Sequence, residues 1–453
     1  MTTLLKQNLE KPVASRQDLL DYLTLGARPP ERWGIGTEME KLVLDAETGE
    51  AAPYERIEQL LALLEATGRW RGVRENGHLI ALLGPVSSVT LEPGGQLELS
   101  GELCPDLHCS YGGFASHIRE VVEAARPLGL AFLGLGVQPF TPLGRIGWLP
   151  KSRYNIMAPY MARTGDMGQR MMKQSAGLQV NLDYSDEADC IEKLRLCQAI
   201  APLVYALFAN SPVMDGRPSG CLSTRGEIWS RTDPDRTGLI HALFEEGAGF
   251  ATYVEYALDV PMYFINRGGR YLDLTRERFT FRRYMAEGFA DQRATLGDWD
   301  LHLSTLFPEA RLRPQIEVRS ADSLPPHLTM AVAALTKGVL YDETARRETW
   351  KLFAGLDREE LEKLYRSSWR LGLKTPLRRA TLRETALEVL AIARESLVRQ
   401  RRMTGQGCDE SIYLEDIQEV AESGTTLAER LLGQWRGSRS ELVGKLIKHC
   451  GFD

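Results

Sequence analysis

The stretch that most constrains this chain is Ser88–Gly101, SVTLEPGGQLELSG, which reads as two short β-runs joined by Pro93-Gly94-Gly95. Val89 and Leu91 alternate with Thr90 and Glu92 before the turn, and Leu97 and Leu99 alternate with Gln96, Glu98 and Ser100 after it. Successive strand residues point to opposite faces, so Gln96 and Glu98 share one face while Leu97 and Leu99 share the other. A single such hairpin, wet on one side, needs no function. The pattern recurs, however. In Trp33–Leu44, Glu38 and Glu40 lie opposite Ile35, Met39 and Val43; in Ala176–Tyr184, Gln179, Asn181 and Asp183 lie opposite Leu178, Val180 and Leu182. In Arg313–Ser320, Gln315, Glu317 and Arg319 lie opposite Ile316 and Val318. These strands predict an α+β fold: one curved, mainly antiparallel sheet with helices on its apolar face and a site on its concave polar face.

The polar face sets the chemistry. Glu38, Glu40, Glu98 and Glu317, with Glu92 nearby, cannot all stay ionised unaided; either their pKa values rise or divalent cations sit among them. The seven cysteines contain no CxxC, and the seven histidines show no HExxH or HxxxH spacing, which argues against zinc. Oxygen-only ligands favour Mg²⁺ or Mn²⁺, and Mg²⁺ binds through a few carboxylates plus substrate phosphates. That points to a nucleotide, although no GxGxxG follows the apolar run Leu130–Val137 and no GxxxxGK[ST] occurs. Cations to clamp an anion are at hand in Lys151 and Arg153 of a long loop, and in Arg225 and Arg236 of Ser223–Gly238, a segment broken by Gly and Pro that reads as a loop. The result is a Mg²⁺-dependent phosphoryl-transfer site on an open sheet.

Charge narrows the partners. With 55 basic and 61 acidic residues, the chain has neither the footprint of a nucleic-acid groove nor that of an anionic membrane surface. No apolar run reaches the roughly 18 residues of a membrane span, and MTTLLKQNLEKP lacks the core of a signal peptide, so a cytoplasmic protein is expected. Periodicity predicts helices over Ser15–Leu25, Tyr54–Thr67, Phe114–Arg126 and Glu187–Ala209, and a hairpin over Val260–Leu274 around Arg267-Gly268-Gly269. From Pro325 onward the pattern is helical, including Leu414–Leu432, with no polar-faced strand. The expected division is a catalytic region 1–324, beginning with an N-terminal helix in 1–32, and a helical section 325–453 packed on it.

GTEMEK (36–41), LEPGGQLELSG (91–101), PKSRY (150–154), QVNLDY (179–184), RGEIW (225–229), DPDRTG (233–238), DVPMYF (259–264) and EVRSAD (317–322) resemble, in order, the glutamate–cysteine ligase family, in its plant-type branch. The resemblance spans roughly residues 30–340 and implies a fold like the catalytic domain of glutamine synthetase. It further implies ATP as co-substrate, phosphorylation of the glutamate γ-carboxylate, and attack of the cysteine amine on γ-glutamyl phosphate, the first step of glutathione synthesis. Carried over, Glu38, Glu40, Glu92, Glu98 and Glu317 surround Mg²⁺ or Mn²⁺, with either Glu92 or Glu98 as the direct ligand and Gln96 in support. Arg225 and Arg236 anchor substrate carboxylate or phosphate, Lys151, Arg153 and Arg319 are further anion contacts, Glu38, Glu317 and Arg319 act in catalysis, and Tyr263 borders the cysteine pocket. The partners implied are ATP, L-glutamate and L-cysteine; feedback by glutathione and a homodimer stay open, as does a different acceptor amine or a non-catalytic metabolite-binding relative. Plant members are redox-regulated through cysteine pairs, but the segment just after Tyr271 and the segment 283–300 contain no Cys here, and Cys109 is offset, so disulfide control is not expected.

Overall fold

The four polar-faced segments lie in one sheet of the computed structural model, which describes residues 9–452. Residues 1–8 of the stretch read for a signal segment lie outside the described residues. In chain order the strands are β1 (Ile35–Asp45), β2 (Arg71–Glu75), β3 (His78–Leu83), β4 (Ser88–Leu91), β5 (Leu97–Ser100), β6 (Leu130–Leu133), β7 (Gly177–Leu182), β8 (Ala310–Leu312), β9 (Ile316–Asp322) and β10 (Gly451–Phe452). They run β8-β9-β7-β1-β5-β4-β3-β2 in space, and β6 joins β1 to β10. Every pairing in this sheet is antiparallel. The α+β class read from the strand faces is the one observed.

Alternation decides which way each strand looks. Ile35, Met39 and Val43 are buried on the apolar side of β1. The helices Tyr54–Ala66, Leu107–Ala125, Glu187–Leu207 and Thr329–Leu340 pack against that side of the sheet. The Glu187–Leu207 helix carries Cys190 and Cys197 into the core. The Leu107–Ala125 helix begins earlier than its apolar periodicity announces, because Asp106 caps it by accepting from Cys109 N at 2.9 Å and Gly112-Gly113 are carried inside it. A disulfide absent from the sequence expectation joins Cys104 to Cys109 at this helix start.

Two other expectations are corrected. The segment 223–238 is not all loop: Ser223 Oγ accepts from Gly226 N and starts a helix, Thr224–Ser230, whose Arg225 and Ile228 are buried. The predicted helix 414–432 is two, Glu415–Ser423 and Leu427–Gln434. Gly424, with φ +65°, ends the first in the left-handed conformation that glycine tolerates, and Thr426 caps the second. The helices beyond Pro325 share one hydrophobic core with the sheet, and the chain returns to the sheet at β10. Lys337 on the Thr329–Leu340 helix forms a buried ion pair with Glu410 at 2.5 Å, tying that section together from within.

Gly134 and Gly136 have a packing reason rather than a nucleotide-binding one. A Cβ on Gly134 would lie 1.9 Å from the Leu324 carbonyl oxygen, and one on Gly136 2.5 Å from Asp322 Cγ. The chain leaving β9 therefore passes hard against this segment, and a backbone carbonyl cannot swing aside as a side chain can. Gly134→Ala is expected to lower the unfolding free energy by about 2 kcal/mol or more, measured by urea denaturation; a variant as stable as the parent would contradict this close approach.

Candidate active site

Strands β1, β5, β7 and β9 contribute acids or amides to a common floor. On β1, Glu38 sits opposite Ser100 of β5 on one side and Gln179 of β7 on the other. Glu40 sits directly opposite Glu98 of β5, an arrangement of like charges that a sheet does not tolerate without compensation. On β9, Glu317 pairs with Asn181 of β7 and with Arg311 of β8. This floor underlies a cavity of about 590 Å³, within the range of small-molecule sites. Its walls come from the 151–157 segment, from Met171–Ser175, and from Trp229, Phe264 and residues 301–307.

The acids are held by neutral donors. Asn181 Nδ2 donates to Glu38 at 3.0 Å, Gly177 N and Gln179 Nε2 donate to Glu40 at 2.5 and 3.2 Å, and Ser100 Oγ donates to Glu98 at 2.7 Å. None of Glu38, Glu40, Glu92 and Glu98 forms an ion pair among the described residues. Glu317 is different: Arg311 engages both its oxygens at 2.7–3.0 Å and Arg319 donates to Oε1 as well. The floor of the cavity is thus divided, with unpaired acids over β1 and β5 and a cluster of Arg311, Arg313 and Arg319 over β8, β9 and the turn between them.

The other predicted residues divide cleanly. Gln96 reaches the cavity but also braces its turn, accepting from Gly94 N at 3.0 Å and donating to Ser175 O at 2.7 Å. Lys151 lies on the wall, donating to Leu91 O at 2.7 Å, and Arg153 stacks over Tyr154 beside it. Arg225, Arg236 and Tyr263 are not on the wall. Arg225 is buried behind the floor, where Nη2 donates to Arg319 O at 2.9 Å. Arg236 is fully buried in an ion pair with Asp233 at 2.6 Å and lies 3.8 Å over the Tyr263 ring. Tyr263 packs edge-on against Tyr160 with its hydroxyl toward Met161 Sδ. All three were expected at the substrate; each is buried away from the cavity, so its side chain does not reach a molecule held there.

Arg311 and Arg313 are cavity residues that the sequence expectation omitted. Their signal was present, since Arg311, Arg313, Gln315, Glu317 and Arg319 continue one period-2 series. Asp300 holds Arg313 at 2.6 Å and itself accepts from Tyr22 Oη at 2.6 Å, so the N-terminal helix Arg16–Thr24 braces this end of the site.

The family model for glutamate-cysteine ligase family 2 matches residues 34–448. The chain is 40% identical over 440 residues to a chloroplastic glutamate–cysteine ligase of Medicago truncatula, covering 96% of this chain and 85% of that one. It is 39% identical over 437 residues to the chloroplastic glutamate–cysteine ligase of Arabidopsis thaliana, covering 96% and 82%. Among solved structures, a glutamate–cysteine ligase of Francisella tularensis in complex with AMP superimposes with a TM-score of 0.55 at 12% identity, covering 92% of this chain and 88% of that one, a likeness of fold. The chloroplastic names of the sequence relatives overturn the expectation of a cytoplasmic protein.

The unpaired acids also impose a pH dependence. Burial, with Glu98 and Glu317 adding to it, pushes Glu38 up to about 7, and burial with Glu92 and Glu98 pushes Glu40 up to about 8. Glu317 is opposite in sense: burial acts upward, but Arg311 and Arg319 outweigh it and hold the carboxyl at about 2. A carboxyl whose folded pKa is raised gives its stabilisation below its unfolded value and loses it as pH rises through the folded one. Thermal melts of the metal-free protein are therefore expected to fall between about pH 5 and pH 8.5, with the fall reduced in Glu38→Gln/Glu40→Gln. A midpoint that rises or stays level through that window would contradict these shifts.

Proposed function

The chain belongs to glutamate–cysteine ligase family 2, and from that premise we propose how its own residues carry out the ligation. The reaction is the ATP-dependent joining of the glutamate γ-carboxylate to the cysteine amine, forming γ-glutamylcysteine, the first step of glutathione synthesis. The observation that carries the residue assignment is the division of one cavity into an unpaired acidic end and an arginine end on a single sheet face.

The acidic end fits a hard divalent cation. Its donors are all carboxylate or amide oxygens, and two of its acids are pushed to hold protons that a cation would displace. Glu38, Glu40, Glu92 and Glu98 would hold Mg²⁺ or Mn²⁺, which when bound supplies charge neutralisation for the ATP phosphates. Glu317 is better assigned to orienting Arg311 and Arg319, since both its oxygens are already engaged by them. Lys151, which burial and the adjacent Arg153 push down to about 8, lies with Arg153 on the wall facing the acids and supplies a second contact for phosphate oxygens. The exposed Val86 and the buried Ile80 and Ala81 at the β3–β4 end offer an apolar slot for the adenine.

At the other end, Arg311 and Arg313 bind glutamate carboxylate, and Arg319 stabilises the phosphoryl group as a γ-carboxylate oxygen bonds to its phosphorus, the bond from that phosphorus to the ADP oxygen breaks, and ADP leaves with the electron pair. The cysteine amine then attacks the γ-glutamyl carbonyl carbon, the C–O bond to phosphate breaks, and phosphate leaves, taking up the proton the amine gives up. Glutathione, the tripeptide formed later from γ-glutamylcysteine, carries the same γ-glutamylcysteinyl unit and would compete for the same cavity. The helical section 325–453 is proposed as a unit packed on the catalytic region 1–324 and acting on it from behind the sheet.

Phosphate release from ATP with Mg²⁺ and glutamate tests the reading, with cysteine compared against 2-aminobutyrate, alanine and no acceptor. Release dependent on cysteine, with γ-glutamylcysteine detected by mass, is the expected result; glutamate-dependent release with another preferred amine would move the activity to a different acceptor. Glu38→Gln is expected to abolish turnover with its melt at neutral pH no lower than the parent's. Arg319→Ala is expected to lower kcat roughly a hundredfold or more. Full activity in either variant would overturn the corresponding role.

A further inference from the structure

Glu309 is a buried acid that the ligation does not use. It lies just ahead of β8, 4% exposed, and its carboxyl accepts from Tyr205 Oη at 3.2 Å, from Tyr365 Oη and from Ser320 Oγ at 2.6 Å. Among the described residues it has no ion pair. A buried carboxyl satisfied only by hydroxyls is costly to retain, and its surroundings show what it holds.

Those surroundings are the backbone of Arg319. Arg319 N donates to Glu309 O at 3.2 Å, and Arg319 O accepts from Arg225 Nη2 at 2.9 Å. The β9–β7 register shifts here: Val318 faces Val180 and Ala321 faces Leu178, so Arg319 and Ser320 together oppose Gln179. That is a β-bulge, which bends a strand and re-aims a side chain. Its two side chains part, Arg319 into the cavity and Ser320 to Glu309. Tyr365, on the helix Arg358–Leu371, reaches the same carboxyl from the C-terminal section.

We propose that Glu309 is a positioning residue for Arg319 and that Tyr365, from the C-terminal helices, fixes it there. The chain Tyr365–Glu309–Ser320 pins the bulge, and the bulge aims the guanidinium at Glu317 and at the phosphoryl group. Buried Asp322 secures the far side: it accepts from Ser211 Oγ at 2.7 Å and from Ser223 Oγ at 2.8 Å, and Ser223 caps the helix that carries Arg225. This inference rests on the role proposed for Arg319, and its test separates the two.

Ser320→Ala and Tyr365→Phe each remove one hydroxyl, the second keeping the ring that packs 4.7 Å from Trp369. Steady-state kinetics are measured with hydrogen exchange over residues 316–322. Each variant is expected to lower kcat about tenfold with KM for ATP within about twofold, and to speed exchange of the Arg319 amide. Ser320→Ala placed on Arg319→Lys is expected to add little further loss. Unchanged kcat and exchange in both variants would overturn the positioning role, as would losses that multiply fully with Arg319→Lys. Parental turnover in Arg319→Lys would remove the role of Arg319 and the positioning role with it; an impaired Arg319→Lys beside a fully active Ser320→Ala would remove the positioning role alone.

Discussion

Glu40 on β1 and Glu98 on β5 face each other across a backbone ladder, with Glu38 two residues along the same strand face and Glu92 at the nearby turn. Two carboxylates directly opposite on paired strands repel, and burial raises the penalty because little water is left to screen them. The fold accepts this crowding because the apolar face of the same strands is sealed against four helices. Neutral donors, Asn181, Gln179, Gly177 N and Ser100, orient the acids without cancelling them. The arginines that could have cancelled them lie instead at the β8–β9 end, where Arg311 and Arg319 are oriented by Glu317 and Arg313 by Asp300. Charge is therefore separated along the cavity, and a cation with its phosphate ligand is what would reconcile the two ends.

Much of this was legible because strand alternation maps directly onto faces. Glu38, Glu40, Glu98, Glu317 and Arg319 follow from a period of two and an apolar partner face, with no need to know which strands are neighbours. Arg311 fell outside because it lies on its own short strand, beyond Pro314 and Gln315, where the series crosses a turn. Arg236 and Tyr263 were misplaced for another reason: charge density and a strand tyrosine carry no information about depth. The Asp233–Arg236 pair that buries the arginine is nonetheless visible as an i,i+3 spacing. The helix Thr224–Ser230 was hidden by its neighbours Gly220, Pro234 and Gly238; tertiary burial of Arg225 and Ile228 overrides their breaking tendency.

Long-range partnerships were not legible at all. Glu309 and Tyr365 are 56 residues apart and meet only because the C-terminal helices fold back against the sheet. The same holds for Lys337 with Glu410 and for the return of the chain to β6 through β10. Read as sequence, the region after Pro325 is an amphipathic run without chemistry; in the fold it supplies one end of the support beneath Arg319.

The most direct test of the charge-separated cavity is Mn²⁺ binding at neutral pH, followed by electron paramagnetic resonance with proton release recorded in the same titration. Binding is predicted to release protons, because Glu38 and Glu40 must give them up, and to fail in Glu38→Gln/Glu40→Gln while persisting in Glu317→Gln. Equal affinity in all three proteins, or binding without proton release, would contradict the assignment of the unpaired acids as the metal-holding end.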